Sequence, residues 1–101
     1  MFQAENFIEQ IRNAEHGASR LQLIQNAITE ADAASDHYWR ISFRYDYIKE
    51  SIFHDDNFKA IIMFPELLSI FDENPDLEDE FYGDVMWAFK LVLENFPDYY
   101  Q

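Results

Sequence analysis

The sequence predicts an all-α fold of about five helices, and three observations support this prediction. When the chain is shifted by 40 residues against itself, the apolar positions of residues 21–52 fall on those of residues 61–92 at helical spacing. Self-similarity at such a period is typical of stacked helical repeats. Only 2 Gly and 3 Pro interrupt the chain, which favours short connections between antiparallel neighbours. The turn residues and alternating apolar runs that would indicate strands are missing from the sequence.

The first two predicted helices are separated by a glycine. The first runs from about Gln3 to Ala14, and the second spans about Ala18 to Ala34, with Gly17 breaking the pattern between them. Each carries an apolar stripe at spacings of three and four residues, as expected for a helix that packs on one face. The stripes are Phe7, Ile8 and Ile11 in the first helix, and Leu21, Ile24, Ile28 and Ala31 in the second.

The third predicted helix covers about residues 36–53 and is apolar on more than one side. Asp36 follows Ser35 and is a favourable N-cap residue for this helix. A helix that is buried on two sides suits the middle of a layered stack. Its two apolar stripes are Tyr38, Ile41, Tyr45, Ile48 and Ile52, and Trp39, Phe43 and Tyr47.

The fourth predicted helix follows the turn at residues 54–57 and continues to about Asp72. Pro65 lies inside it, where the proline ring clashes with the carbonyl group of Ile61 and supplies no hydrogen-bond donor to it. We expect a kink rather than a break, because one apolar stripe continues on both sides of the proline. That stripe consists of Ile61, Phe64, Leu67, Leu68 and Phe71.

The fifth predicted helix runs from about Leu77 to Asn95. Its acidic first turn favours this start through the helix dipole, and the register makes it equivalent to the third helix. Its own partner would begin near residue 98, so we expect residues 1–101 to form one domain that is the N-terminal part of a longer repeat array. Phe81, Val85 and Trp87 would then face a missing repeat, or a second copy in a homodimer formed through the last helix.

Composition and charge narrow the classes of function. The chain has no Cys and a net charge of −13, and residues 55–101 carry 12 acidic residues against two Lys. A surface of one sign repels nucleic acid and anionic membranes and attracts basic partners, although acidity also serves solubility alone. No apolar run approaches the ~20 residues of a membrane span, and the N-terminus lacks the features of a signal peptide. We therefore expect a soluble cytoplasmic protein that binds neither nucleic acid nor membrane.

Two segments of the repeat carry a recognisable order of residue types. Residues 23–32 look like the second helix of a helical hairpin, and residues 55–60 combine an acidic turn, an aromatic residue and Lys-Ala. Phe64 and Pro75 follow these segments. The segments resemble the tetratricopeptide (TPR) superfamily, whose repeats have a later aromatic residue and a closing proline at similar places. This resemblance implies a short right-handed α-solenoid of stacked antiparallel hairpins. The period of 40 exceeds the usual 34 and approaches that of HEAT and armadillo repeats, so a HEAT-like stack stays open.

The resemblance implies a non-catalytic scaffold that binds a protein or peptide in a groove lined by the third and fifth helices. Arg40 and Arg44 lie one helical turn apart and could hold a carboxylate or an acidic segment. Salt bridges to acids such as Asp36 and Asp46, and core packing of the aromatic residues, are the structural alternatives. The predicted partner-binding residues are Arg40, Arg44, Tyr47, Trp39 and Trp87.

A second class of function fits the charge distribution. The chain could be an acidic inhibitor of the immunity-protein type that blocks a basic partner such as a nuclease. Residues 72–84 would then make the contact through charge complementarity. Salt dependence of partner binding separates this alternative from the groove.

Two patterns suggest metal binding, and we expect neither to bind a metal. His54-Asp55 is similar to the His-Asp pair of all-helical metal phosphohydrolases, with His16 and His37 as further imidazoles, but an ordinary turn histidine explains it. Residues 72–78 alternate oxygen ligands as a calcium loop does, yet the loop's required Gly and Glu positions hold other residues. With no phosphate-binding loop and no nucleophile motif, we predict no enzyme activity, catalytic residue or cofactor.

Overall fold

The computed structural model describes residues 2–54 and 57–95, and these ranges are almost entirely helical. Within them no strand occurs, which confirms the all-α prediction, and each predicted helix end lies within one residue of the observed end. A short 3-10 turn, Pro75–Leu77, precedes the last helix. The five helices are α1 (Ala4–Asn13), α2 (Ala18–Ala33), α3 (His37–Phe53), α4 (Asn57–Glu73) and α5 (Glu78–Glu94).

The connection between α2 and α3 is set by two adjacent residues. Ser35 adopts a left-handed conformation with φ of +53°, and the amides of Ser35 and Asp36 donate to carbonyl groups in the last turn of α2. This pattern is a Schellman motif, which satisfies carbonyl groups that the end of a helix leaves open. The Asp36 side chain then accepts a hydrogen bond from the Trp39 amide at 3.3 Å. The prediction that Asp36 caps α3 is confirmed.

α4 continues through Pro65 as one helix from Asn57 to Glu73. Pro65 is exposed, so its ring lies on the solvent side of the helix. Ala60, Met63, Phe64, Leu67 and Ile70 are the buried residues of α4, and they occur on both sides of the proline. The expectation that the helix does not break at Pro65 is confirmed.

α3 occupies the centre of the fold and contacts α2, α4 and α5, while α1 packs against α2. Residues from both apolar stripes of α3 are buried, including Ile41 and Ile48 from one and Phe43 and Tyr47 from the other. The protein measures 46 × 34 × 19 Å, and its shortest dimension is about two helix diameters. The prediction that α3 is buried on two sides is confirmed.

α5 buries the face that the register suggested would be open. Phe81 and Val85 are only 4% and 3% exposed, because α5 packs this face against α3 and α4. The expectation that these two residues face a missing repeat or a second copy is therefore wrong. Trp87, the third residue of that expectation, is 40% exposed.

No helix among the described residues has the length and apolar character needed to cross a lipid bilayer.

Candidate functional site

Arg40 and Arg44 both bind Asp32, which links α3 to α2. The two terminal nitrogens of Arg44 donate to the two Asp32 carboxylate oxygens at 2.9 and 2.8 Å, and Arg40 Nε donates to Oδ1 at 2.8 Å. Arg44 is only 5% exposed and also lies 3.7 Å from Glu66 of α4. The hydrogen bond from Arg44 outweighs burial and, together with Arg40, holds the pKa of Asp32 below its usual value. The two arginines therefore form salt bridges within the protein, as in the structural alternative to ligand binding, but their partner is Asp32 and not Asp36 or Asp46.

The three predicted aromatic residues occupy different environments. Tyr47 is buried, Trp39 is half-buried, and Trp87 is partly exposed on α5. Trp39 and Tyr47 lie on α3 with the two arginines, whereas Trp87 lies on α5. The ring contacts are Trp39 with Phe43 at 5.2 Å, and Trp87 with Tyr45 at 6.3 Å and Phe53 at 6.2 Å between centroids.

A line of exposed apolar residues runs along α5, which we call the outer stripe. Spacings of four, three and four residues put its members on one side of the helix, over a length of about 16 Å. Phe89 contacts Phe64 of α4 with ring centroids 5.8 Å apart, and Leu68 lies one turn further along α4, 37% exposed. The outer stripe consists of Tyr82, Met86, Phe89 and Leu93, which are 55%, 48%, 44% and 50% exposed.

Acidic residues precede the outer stripe along the chain, in what we call the acidic turn. All five lie at the end of α4, in the 3-10 turn or in the first turn of α5, and all are exposed. The cation of α5, Lys90, lies further along the helix and 3.9 Å from Glu94. An apolar surface therefore leads directly to a strongly negative one. The acidic turn comprises Asp72, Glu73, Asp76, Glu78 and Asp79.

Asn74, in the middle of the calcium-like pattern, shapes the connection between α4 and α5. Its side-chain amide donates to the Ile70 carbonyl oxygen at 2.8 Å, and its own carbonyl accepts from the Leu77 amide at 2.9 Å. These bonds close the end of α4 and begin the 3-10 turn.

A second cluster lies at the C-terminal end of α3, where His16 and His54 flank Glu50. His16 Nδ1 lies 3.2 Å from both carboxylate oxygens of Glu50, and His54 Nε2 lies 3.2 Å from Oε2. The two imidazole rings stack with centroids 4.7 Å apart and an angle of 15° between their planes. Within residues 2–54 and 57–95, this is the group of three ligating side chains whose atoms lie within 4.8 Å of one another.

The backbone at Gly17 places His16 beside Glu50. Gly17 has a φ of +101°, a conformation that residues with a side chain rarely adopt. Its amide donates to Glu50 Oε2 at 2.8 Å. Burial raises the pKa of Glu50, but the bonds from the Gly17 amide and the two histidines outweigh it and lower the pKa overall. The buried carboxylate is thus held in its charged form.

The cluster forms part of the wall of a cavity of about 580 Å³ between α1, α2 and α3. Asp46, one turn before Glu50, also lines the cavity, and burial raises the pKa of its carboxyl group. Lys49 lies 3.7 Å from Asp46. The remaining lining is mostly apolar, with two arginines, and consists of Ile8, Ile11, Ile24, Phe43, Phe53, Arg12 and Arg20.

The sequence singles out His16 and His54 as imidazoles that could bind a metal, but it does not identify Glu50 as their neighbour. His37 was considered beside His16 and His54, yet it lies elsewhere, with Nδ1 2.9 Å from Arg40 Nη1. Asp55, the other half of the His-Asp pair, lies outside the described residues. The spacing of Glu50 and His54 could have indicated that these two side chains are neighbours, since residues four apart lie on one face of a helix.

In comparisons with known proteins, no protein-family model, no curated protein and no solved structure matched this chain. The function of the candidate sites is therefore inferred from their own geometry and charge.

Proposed function

We propose that this protein is a non-catalytic interaction module that binds a basic amphipathic helix of another protein along α5. The observation that carries the proposal is the outer stripe, four half-exposed apolar side chains in line with the acidic turn. Amphipathic helices are recognised through apolar anchors spaced three and four residues apart. A bound helix running along α5 could place such anchors on Tyr82, Met86, Phe89 and Leu93.

The charge around the outer stripe favours a basic partner over a second copy of this chain. Residues 55–101 carry 12 acidic residues and two Lys, so two copies that met through this half would repel each other. Lys and Arg on the polar side of a bound helix would instead lie near the acidic turn. Such complementarity raises the association rate and selects against acidic competitors.

The binding free energy needs contributions from both the outer stripe and the acidic turn. Burying roughly 100 Å² on each of four side chains contributes about 10 kcal/mol at 25 cal/mol/Å². Association costs about 4–15 kcal/mol in lost freedom, so the apolar contact alone gives weak binding. We expect the acidic turn to supply the difference and the affinity to be roughly micromolar.

We also propose that the helices form a TPR-like stack of antiparallel hairpins. In support, α3 contacts α2 and α4, its neighbours in the chain, and also α5, its equivalent in the 40-residue register. Contacts between equivalent helices are what a stack of repeats produces. The slab-like dimensions of 46 × 34 × 19 Å agree with two layers of helices.

A designed peptide tests the proposed function directly. The probe is a fluorescein-labelled 18-residue Leu/Lys peptide with Leu at helical spacing, and its binding is followed by fluorescence anisotropy. Met86→Gln with Leu93→Gln should weaken binding at least tenfold, because both side chains are half-exposed anchors and Gln keeps the helix propensity. The matched control is Ile62→Gln, an equally exposed change on α4 beside Gln25 of α2.

The control variant should bind as the wild type does, and a peptide of the same composition in scrambled order should bind at least tenfold more weakly. Equal affinity of the wild type and the double variant would contradict the proposed site.

The acidic-inhibitor alternative is favoured by one observation, that all five residues of the acidic turn are exposed. In that case charge alone would drive binding, and the same peptide would lose most of its affinity between low and high salt. An affinity that falls both when Met86 and Leu93 are replaced and when salt is added supports the outer stripe acting together with the acidic turn. An affinity that depends on salt but not on these two residues supports the inhibitor.

A further inference from the structure

We propose that His16, Glu50 and His54 form a binding site for one divalent transition-metal ion, with Zn²⁺ as the best match. This inference goes beyond the proposed interaction and does not depend on it, because the cluster lies between the α1–α2 turn and α3, whereas the outer stripe lies on α5. Glu50 lies in the last turn of α3, His54 follows the helix directly, and His16 comes from the turn between α1 and α2.

The distances within the cluster fit a tetrahedral ion. Zinc bonds of 2.0–2.1 Å to nitrogen and about the same to oxygen put neighbouring ligand atoms about 3.3 Å apart. His16 Nδ1 and His54 Nε2 each lie 3.2 Å from a Glu50 oxygen. The three ligand atoms lie within 4.8 Å of one another, but the two imidazole rings stack nearly parallel, at 15°. One ring must therefore rotate before both nitrogens point at the same ion. His54 follows the last residue of α3 and its side chain is 34% exposed, which leaves room for that rotation.

The ligand types select the metal. Two imidazole nitrogens and one carboxylate suit Zn²⁺, Ni²⁺ and Co²⁺, whereas Mg²⁺ and Ca²⁺ prefer sets made of oxygen atoms. Three protein ligands leave at least one coordination position for water, as in open zinc sites. All three residues line the cavity of about 580 Å³, so that position has access to solvent.

The carboxylate at the centre is held in place before any ion arrives. Glu50 is only 8% exposed, and the Gly17 amide donates to its Oε2 at 2.8 Å. Such an outer hydrogen bond orients a ligand and commonly changes metal affinity by about 10–100-fold. A buried carboxylate between two imidazoles also explains why a Gly with φ of +101° occurs next to His16, since this backbone brings both the amide and the ring to Glu50.

Calorimetric titration of the chelator-treated full chain with ZnCl₂ tests the site. We expect one ion per chain and a rise in melting temperature of roughly 10 °C at a hundredfold excess over Kd. Co²⁺ should bind with visible d–d absorption of a tetrahedral or five-coordinate complex. A millimolar excess of Mg²⁺ or Ca²⁺ should not displace either ion.

Single-residue variants assign the ligands. His16→Ala and His54→Ala should each weaken Zn²⁺ binding at least tenfold, and Glu50→Gln should do the same while its remaining oxygen still accepts from Gly17. His37→Ala is the matched control, because His37 lies on the same helix and bonds to Arg40 instead, and it should bind as the wild type. Circular dichroism confirms that each variant is folded.

Three results would overturn the proposal: no heat and no thermal shift with millimolar Zn²⁺, unchanged affinity in both histidine variants, or displacement by Ca²⁺. The last would indicate uptake by exposed carboxylates. Unchanged affinity of His37→Ala together with loss in the other variants supports the site.

Discussion

Replacing Asp32 by Asn should destabilise the fold, because it removes the charge that balances Arg40 and Arg44. Asn keeps the shape of the side chain but presents an amide to a guanidinium group. Arg44 is 5% exposed, and a buried charge that loses its partner typically costs about 3–5 kcal/mol.

Two features of the structure reduce this cost. The Asp32 side chain is 36% exposed, so water screens part of the attraction, and Glu66 remains 3.7 Å from Arg44. We therefore expect a loss of about 2 kcal/mol in the free energy of unfolding. For a domain of this size, that corresponds to a fall of roughly 10 °C in melting temperature.

Urea unfolding followed by circular dichroism measures the effect of Asp32→Asn, with an unchanged m-value as the sign that only stability changed. Glu30→Gln, an exposed change of the same charge on the same helix, should alter stability by less than about 0.5 kcal/mol. A stability of Asp32→Asn within that margin of the wild type would refute the structural role of the pair.

The same pair predicts a pH dependence. Hydrogen bonds from Arg44 and Arg40 lower the pKa of Asp32 in the folded protein. A lowered pKa means that the stabilisation is fully present above the unfolded value, about 3.9, and is lost as the pH falls towards the folded value. The stability difference between the wild type and Asp32→Asn should therefore shrink below about pH 4. A difference that grew on acidification would contradict this linkage.

Four further substitutions test the fold. Ile48→Ala, at a fully buried position of α3, should cost about 3–4 kcal/mol in urea unfolding, and a cost below 1 kcal/mol would contradict the central position of α3. Ser35→Gly should raise the free energy of unfolding by about 0.5–1 kcal/mol, since Ser35 has a φ of +53°; a loss would show that its side chain matters. Gly17→Ala should cost about 1–3 kcal/mol through its φ of +101°, whereas Gly83→Ala, inside α5, should stabilise by about 0.5–1 kcal/mol. An added Cβ meets nothing within 4 Å at either glycine, so backbone conformation alone decides the sign, and equal effects would refute it.

The helices were predictable because their ends carry local signals. Asp36 caps α3 through its own side chain, and Gly17 adopts a conformation that only glycine readily takes. These preferences act within a few residues of the chain, so they can be identified without knowing the tertiary structure. The central position of α3 was also predictable, because its two apolar stripes are visible as a spacing pattern in the sequence.

The open face of α5 was predicted wrongly for a reason that the register itself explains. Phe81 and Val85 correspond to Ile41 and Tyr45 of α3, and the shared apolar character marks the face that packs inward. The informative positions are those where the repeats differ. Met86 and Phe89 are apolar and exposed where α3 has Asp46 and Lys49, so a comparison of mismatches would have found the outer stripe.

The two clusters of charged residues could not be assembled from the sequence. Asp32 and Arg44 are 12 residues apart and on different helices, so their contact depends on how α2 packs against α3. His16 and Glu50 are 34 residues apart and meet only through the turn at Gly17. In both cases the chain supplies the residue types, and tertiary packing decides which of them meet.

NMR chemical-shift mapping with the Leu/Lys peptide tests the proposed function most directly. Added to ¹⁵N-labelled protein, the peptide should shift the amides of the outer stripe and the acidic turn, with the largest changes between Tyr82 and Leu93. Amides around Arg40, Arg44 and Glu50 should move little. Shifts centred on α2 and α3, or no shifts at millimolar peptide, would contradict binding along α5.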